Sequence, residues 1–255
     1  MLERTFLHLP GIGARTEVRL WQRGIHSWEQ LSRTGRDLPI PGARLPAVLD
    51  RAMRSQAALD AGNHRFFAEH VPQKEHWRAF QSFPGRVAYL DIETDGGRDF
   101  DSVTVIGLSD GVELRQFIRG ENLLDFRDAL DDVSLLVTFF GSGFDIPVLR
   151  EAFPDVRFHQ MHMDLCPTLR RLGLRGGLKS IERQLGLSRG TETEGLGGWD
   201  AVRLWGEWVR GSRDALKTLL AYNGEDVSNM APLARFAYRE LSERLQAEGE
   251  LSGDP

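Results

Sequence analysis

Residues 87–94 read Val87-Ala88-Tyr89-Leu90-Asp91-Ile92-Glu93-Thr94, an apolar run of strand-forming residues that closes on two carboxylates one residue apart. Side chains at i and i+2 of a strand point to the same face, so Asp91 and Glu93 stand side by side. Burying such a pair is costly unless a cation lies between them, and hard divalent cations such as Mg2+ or Mn2+ take oxygen ligands. The pair therefore reads as the start of a metal site. The plain alternative is a strand whose polar end runs out into water, and the choice depends on what lies downstream.

From this strand, placed at 86–93, the pattern continues over 102–109, turns at Asp110-Gly111 and returns over 114–118. The connections are too short for crossover helices, which predicts a three-stranded meander. A helix over Leu123–Leu130 follows, with Asn122 as its N-cap. Ser134–Phe140 is almost uninterruptedly apolar, as a strand covered on both faces must be. Together these elements predict an α/β layout, a mixed sheet flanked by helices.

The next segment is Gly141-Ser142-Gly143-Phe144-Asp145-Ile146-Pro147. Pro147 fits the first turn of a helix, which puts Asp145 at that helix's N-terminal edge, where the dipole favours a carboxylate. Taken alone, the segment is best read as a cap. Residues 158–164 lead into a helix over Leu165–Leu172. His159 and His162 beside Asp164 lack the further histidines of a metal site, and Asp164 reads instead as orienting a loop. Gly176-Gly177-Leu178-Lys179 opens a short helix from which Lys179 can meet a phosphate or simply be solvated. Residues 190–198 read as a flexible loop beside the site, and Ala201–Trp208 as an amphipathic helix. Ser212 caps a long helix from Arg213 to about Arg244, in which Tyr222 and Asp226 stand i, i+4 on one face.

Upstream, Leu9-Pro10-Gly11-Ile12-Gly13 lies between two helical patterns. Glycines there allow a tight turn that leaves backbone N–H groups exposed at the next helix N-terminus, where they can bind phosphate. Arg15 can add a charge contact. The alternative is a turn used only for packing through Ile12, Val18, Leu20 and Trp21. Pro39, Pro41, Gly42 and Pro46 rule out a single regular helix over 32–48, and a helix over Ala47–Ala61 ends at Gly62-Asn63. Phe66, Phe67, Trp77 and Phe80 read as packing residues ahead of a boundary at Pro84-Gly85.

The 255 residues are 41% hydrophobic and 27% charged, an ordinary globular balance. No apolar stretch approaches a membrane span and no secretory signal opens the chain, so a cytoplasmic address without membrane association is expected. Cys166 is the one cysteine, which excludes an internal disulfide and a cysteine-based zinc site. The net charge of −5 is uneven: residues 1–60 carry nine Arg and no Lys against six acidic residues, a local +3, and the remainder carries −8. The N-terminal region is thus the better candidate for meeting a nucleic-acid backbone.

Asp91-x-Glu93, Phe144-Asp145 and Tyr222-x-x-x-Asp226 resemble, in order and spacing, the three motifs of the DEDD exonucleases in their tyrosine-bearing branch, which have a ribonuclease H-like fold. Leu90-Asp-Ile-Glu-Thr94, Gly176-Gly-Leu-Lys-Ser-Ile-Glu182, Ala201-Val-Arg-Leu-Trp205 and Leu219-Leu-Ala-Tyr-Asn-Gly-Glu-Asp226 look like the YprB-type subgroup. The glycine-rich turn resembles a helix-hairpin-helix motif, a DNA-backbone binder, with Gly11 and Gly13 in its glycine positions. One departure stands out: Phe140 occupies the place of an Asn that commonly grips the substrate strand near its end.

The resemblance implies a small helical nucleic-acid-binding region over 1–84, a ribonuclease H-like exonuclease domain over 85–245 and a flexible tail over 246–255. It also implies 3′→5′ hydrolysis of phosphodiester bonds with two divalent cations, Mg2+ or Mn2+, and no organic cofactor. Asp91 would bridge both ions, Glu93 and Asp226 would complete one site, Asp145 would hold the other, and Tyr222 would orient the attacking water. DNA is favoured over RNA because of the hairpin. An exoribonuclease, a structure-specific endonuclease and a catalytically silent nucleic-acid-binding protein are the alternatives.

Overall fold

The computed structural model describes residues 1–34, 38–97 and 101–250. At its centre is one mixed sheet of five strands: β1 (Val87–Thr94), β2 (Val103–Ser109), β3 (Leu114–Ile118), β4 (Leu135–Thr138) and β5 (Met161–Asp164). Their spatial order is β3-β2-β1-β4-β5. The meander pairs antiparallel, while β4 and β5 run parallel to β1. Strand β5 is Met161-His162-Met163-Asp164, an apolar-polar alternation only four residues long, which the sequence suggests only as a lead-in to a helix.

Nine α-helices surround the sheet among the described residues. They are α1 (Ala14–Gln22), α2 (Trp28–Arg33), α3 (Leu45–Asp60), α4 (His64–His70), α5 (Asp145–Ala152), α6 (Leu165–Arg170), α7 (Leu178–Gln184), α8 (Gly198–Val209) and α9 (Arg213–Glu250). Alternation along β1 divides the core. Leu90 and Ile92 join Phe126, Ile146, Leu149 and Phe153 on the α5 face, whereas Tyr89 joins residues of α9 on the other. That second cluster runs without a break into the N-terminal region through Leu2, Phe6, Trp21, Trp28, Phe67 and Trp77. The aromatic residues Phe67 and Trp77 are buried there, in the packing role expected of them.

Glycine sets how closely α9 can approach. A Cβ at Gly107, the β2 residue opposite Asp91, would lie 2.7 Å from Val227 Cγ2, and one at Gly224 would lie 2.9 Å from Leu114 Cδ2. Bare backbone at both positions lets the helix lie directly on the strands.

Several local expectations change. The segment after Asn122 is a 3-10 helix, Leu123–Asp128, and Asn122 does not cap it. Its side chain instead accepts from Ile118 N–H and donates to Gln116 O, closing the end of β3. The helical pattern expected before the glycine turn is a single 3-10 turn, Leu2–Arg4. The cause is Glu17, which takes the Phe6 N–H and the Thr5 hydroxyl and so diverts the chain from an i→i−4 ladder. Helix α9 runs on to Glu250, so 246–250 are helical rather than a flexible tail, and residues 251–255 lie outside the described residues.

Candidate active site

Strand β1 contributes the first two carboxylates. Its pairing with β2 shifts register between Glu93 and Thr94, a bulge of the kind that re-aims side chains beside functional sites. Asp226 arrives from α9, and one carboxylate oxygen from each of Asp91, Glu93 and Asp226 lies within 4.8 Å of the others. Asp145 is not part of this trio. Pairing between β1 and β4 ends at Tyr89–Val137, which leaves the Ile92 N–H without a strand partner on that side, and Asp145 Oδ1 accepts it at 3.2 Å. All four carboxylates and Tyr222 nevertheless line one cleft of about 520 Å3.

The electrostatics are those of an unbalanced buried cluster. Burial first, then Glu93, Asp226 and Asp145, raise the Asp91 carboxyl well above the ordinary range. Burial, with Asp226 and Asp145, does the same to Glu93. Asp145 is pushed up to about 7 by burial, against the pull of its backbone hydrogen bonds. Asp226 is also raised by burial, although Arg189 opposes the shift. Burial and the surrounding carboxylates raise the Tyr222 phenol, which holds it neutral.

The site also contains residues that the sequence did not single out. Asn223 Nδ2 donates to Asp91 Oδ2 at 3.1 Å and so fixes that carboxylate. Arg189, in the segment after α7, donates to both oxygens of Glu182 at 2.6 and 2.7 Å and also to Asp226. Asn229 adds a 3.0 Å bond to Glu182. The 190–198 segment, expected to be flexible, is tied to α9: Gly190 N–H and the Thr193 hydroxyl both donate to Glu225, the neighbour of Asp226. Adjacency to Tyr222 and Asp226 was the available signal for Asn223 and Glu225. Arg189 had none.

Lys179 is not simply solvated. Its Nζ sits 4.3 Å from the centroid of the Tyr222 ring and has no hydrogen-bond partner among the described residues. Burial lowers its pKa, while Asp226, Glu182 and Glu93 pull it back up. Asp164 does orient a loop, as expected. Its carboxylate accepts from Phe140 N–H at 2.8 Å and Ser142 N–H at 3.0 Å, and it also caps α6. Phe140 has φ +64°, a left-handed conformation that a bulky side chain adopts at a cost of about 1–3 kcal/mol. His162 bonds to Thr138, which accounts for it without a metal.

A divalent cation fits the trio. The donors are all carboxylate oxygens, suited to a hard ion, and Glu93 Oε1 is buried without a hydrogen-bond partner among the described residues. In the N-terminal region, Gly13 is the N-cap of α1, and Gly11, Gly13 and Arg15 are exposed. Gly11 has φ +73° and the Arg44 side chain lies against its backbone.

No curated protein matches the sequence. Among solved structures, the family B DNA polymerase from the hyperthermophilic archaeon Pyrobaculum calidifontis is similar at 18% identity and a TM-score of 0.49. That alignment covers 64% of this chain and 27% of the polymerase chain, so the present chain spans about a quarter of the polymerase's length. The family model of the RNase H superfamily matches residues 88–238, the stretch that holds β1, Asp145 and the Tyr222–Asp226 turn of α9, and the chain belongs to that superfamily.

Proposed function

We propose that the protein is a metal-dependent 3′→5′ exonuclease that hydrolyses phosphodiester bonds at the ends of DNA strands. The observation that carries this reading is the cluster itself: three carboxylates converge in an open cleft with Asp145 beside them, and among the described residues only Lys179 and Arg189 offset their charge. Asp91, Glu93 and Asp226 would hold one divalent cation, and Asp145 with Asp91 a second. When bound, such ions lower the pKa of an attacking water and offset charge on the phosphate.

The chain's own residues supply the rest. Tyr222, neutral and hydrogen-bond competent, orients the water beside Glu93. Asn223 keeps Asp91 in one rotamer, and the Glu182–Arg189 pair fixes Asp226. Lys179 adds positive charge behind the Tyr222 ring. Gly11, Gly13 and Arg15 form a second contact, to a duplex backbone, and favour DNA over RNA.

The test is one gel. The protein and Asp91→Ala are incubated with 5′-labelled single-stranded, duplex and branched DNA and matched RNA, in Mg2+, Mn2+ or chelator. A metal-dependent ladder shrinking from the 3′ end, reduced on the order of 10³ or more in the variant, is expected. Cleavage that survives in Asp91→Ala would remove the cluster from catalysis, and internal cuts would replace the exonuclease with an endonuclease. Arg15→Glu should weaken retention of duplex DNA, and unchanged retention would remove the hairpin from substrate binding.

A further inference from the structure

A second cavity, of about 410 Å3, lies at the seam between the N-terminal region and the sheet. Its walls come from α4, from the 3-10 helix Gln73–Ala79, from α5 and from residues 158–162 at the start of β5. Among the described residues it shares none of its lining with the carboxylate cleft. The volume lies in the range that holds a small organic molecule rather than a bare ion.

The polar groups around it fall into two sets. One set is satisfied within the fold: Gln73 Nε2 donates to Ser142 Oγ at 3.3 Å and meets His162 Nδ1 at 3.2 Å, and His162 Nε2 meets Thr138 Oγ1 at 2.8 Å. The other set is not. Gln160 is 8% exposed and donates through Nε2 to Leu130 O, yet its Oε1 has no partner among the described residues. His159 Nε2 is likewise buried without one. Arg65 of α4 and Arg150 of α5 make no ion pair among the described residues, although Glu69 lines the same cavity. Folded chains pair their buried polar groups, so an unmet acceptor and two unpaired cations around one cavity point to a ligand.

The lining also states what that ligand carries. Two guanidinium groups suit a phosphate. Gln160 Oε1 and the Glu69 carboxylate only accept, so the ligand supplies N–H or O–H donors as well. Leu136, Ile146, Pro147 and Phe158 form an apolar wall against which a flat ring can lie. We propose that this cavity is a binding site for a nucleoside monophosphate, separate from the carboxylate cleft, with the phosphate at Arg65 and Arg150 and the base or sugar donors at Gln160 and Glu69. That class of molecule joins a phosphate, hydroxyl and N–H donors and a flat ring. A nucleotide is favoured among organic phosphates by the nuclease reading, because hydrolysis from a strand end releases nucleoside monophosphates; the existence of the site does not depend on it.

The test is isothermal titration calorimetry on the full chain in chelator, where the ion-free carboxylates repel phosphate and the cleft contributes nothing. The ribo- and deoxyribonucleoside 5′-monophosphates are compared with the matching nucleosides, ribose 5-phosphate and inorganic phosphate. At least one nucleoside monophosphate should bind saturably, one per chain, with its nucleoside, ribose 5-phosphate and inorganic phosphate each roughly tenfold or more weaker. Arg65 and Arg150 are exposed, so Arg65→Gln and Arg150→Gln should melt like the wild type. Each should weaken the nucleotide roughly tenfold. Asp91→Ala, in the cleft, should bind it as the wild type does. No saturable binding of any nucleoside monophosphate, undiminished binding in both arginine variants, or loss of binding in Asp91→Ala would overturn the site. Equal binding of inorganic phosphate or of ribose 5-phosphate would overturn the nucleotide in favour of a bare anion or a sugar phosphate. Should the wild type cut no nucleic acid in Mg2+, the nuclease reading fails separately, and the titration in chelator still decides on this site.

Discussion

Two buried charge clusters lie in this molecule, and they are built on opposite rules. In the N-terminal region Arg78, 2% exposed, bridges Glu17 at 3.0 Å and Glu75 at 2.8 Å, with Arg171 a further 3.4 Å from Glu75. The Thr5 hydroxyl and the Phe6 N–H donate to the other oxygen of Glu17, and the Trp77 indole N–H shares the Glu75 oxygen held by Arg78. Its charges balance and it joins three segments: the first residues, α1 and the 3-10 helix Gln73–Ala79. Around β1 the balance fails, because Asp91, Glu93, Asp145, Asp226 and Glu182 face, among the described residues, only Arg189 and Lys179. A fold that can neutralise buried acids in one place and does not in another has left the second set available to something that binds.

Stability separates the two clusters most strongly. Arg78→Met should cost about 3–5 kcal/mol in denaturant unfolding, because Glu17 is left buried without a counter-charge and Glu75 keeps only Arg171. A loss below about 1 kcal/mol would mean the balanced cluster is not what holds the N-terminal region.

The next effect has the opposite sign. A carboxyl raised to about 7 in the fold favours its protonated form, so its contribution to stability is fully present near pH 4 and is lost as pH rises through 7. Asp145→Asn should therefore leave the metal-free protein unchanged at pH 4 and stabilise it by a few kcal/mol at pH 8. Urea midpoints at the two pH values measure this, and a gain that did not grow with pH would show that Asp145 is not under strain.

The smallest effect returns to the N-terminal side. His8 is held down to about 3 and His76 to about 4, both mainly by burial. His76 accepts the His162 N–H at Nδ1 and donates to Val71 O from Nε2, which requires the neutral ring. Both histidines favour the neutral form in the fold, so their contribution falls as pH drops below about 6.5, by roughly 2 kcal/mol each at pH 5. His76→Gln should flatten that acid limb, and an unchanged limb would assign it to other groups.

The same contrast explains what the sequence could reveal. Asp91, Glu93, Tyr222 and Asp226 were legible because their spacing is local: period two on a strand, period four on a helix. The meander was legible from short turns. Arg189 was not, because its bond to Asp226 spans 37 positions and nothing near it in the chain announces a partner. Asn223 meets Asp91 across 132 positions, and only the bare backbone of Gly107 allows that approach. Strand β5 was missed because its alternation, Met161-His162-Met163-Asp164, lasts only four residues and runs straight into α6, too short a run to mark a strand. The turn at Phe140 was noticed as a departure, but its positive φ belongs to the Asp164 contact and cannot be read from the residues themselves.

The most direct test of the unbalanced cluster is a thermal melt at pH 8 in chelator and over a titration of Mn2+ or Mg2+. Cations that bind only the folded cluster should raise Tm in a saturable way, by several degrees at excess ion, in the wild type and not in Asp91→Ala. A Tm indifferent to the ions, or a shift of equal size in Asp91→Ala, would contradict the claim that these carboxylates, short of counter-charge in the fold, bind metal.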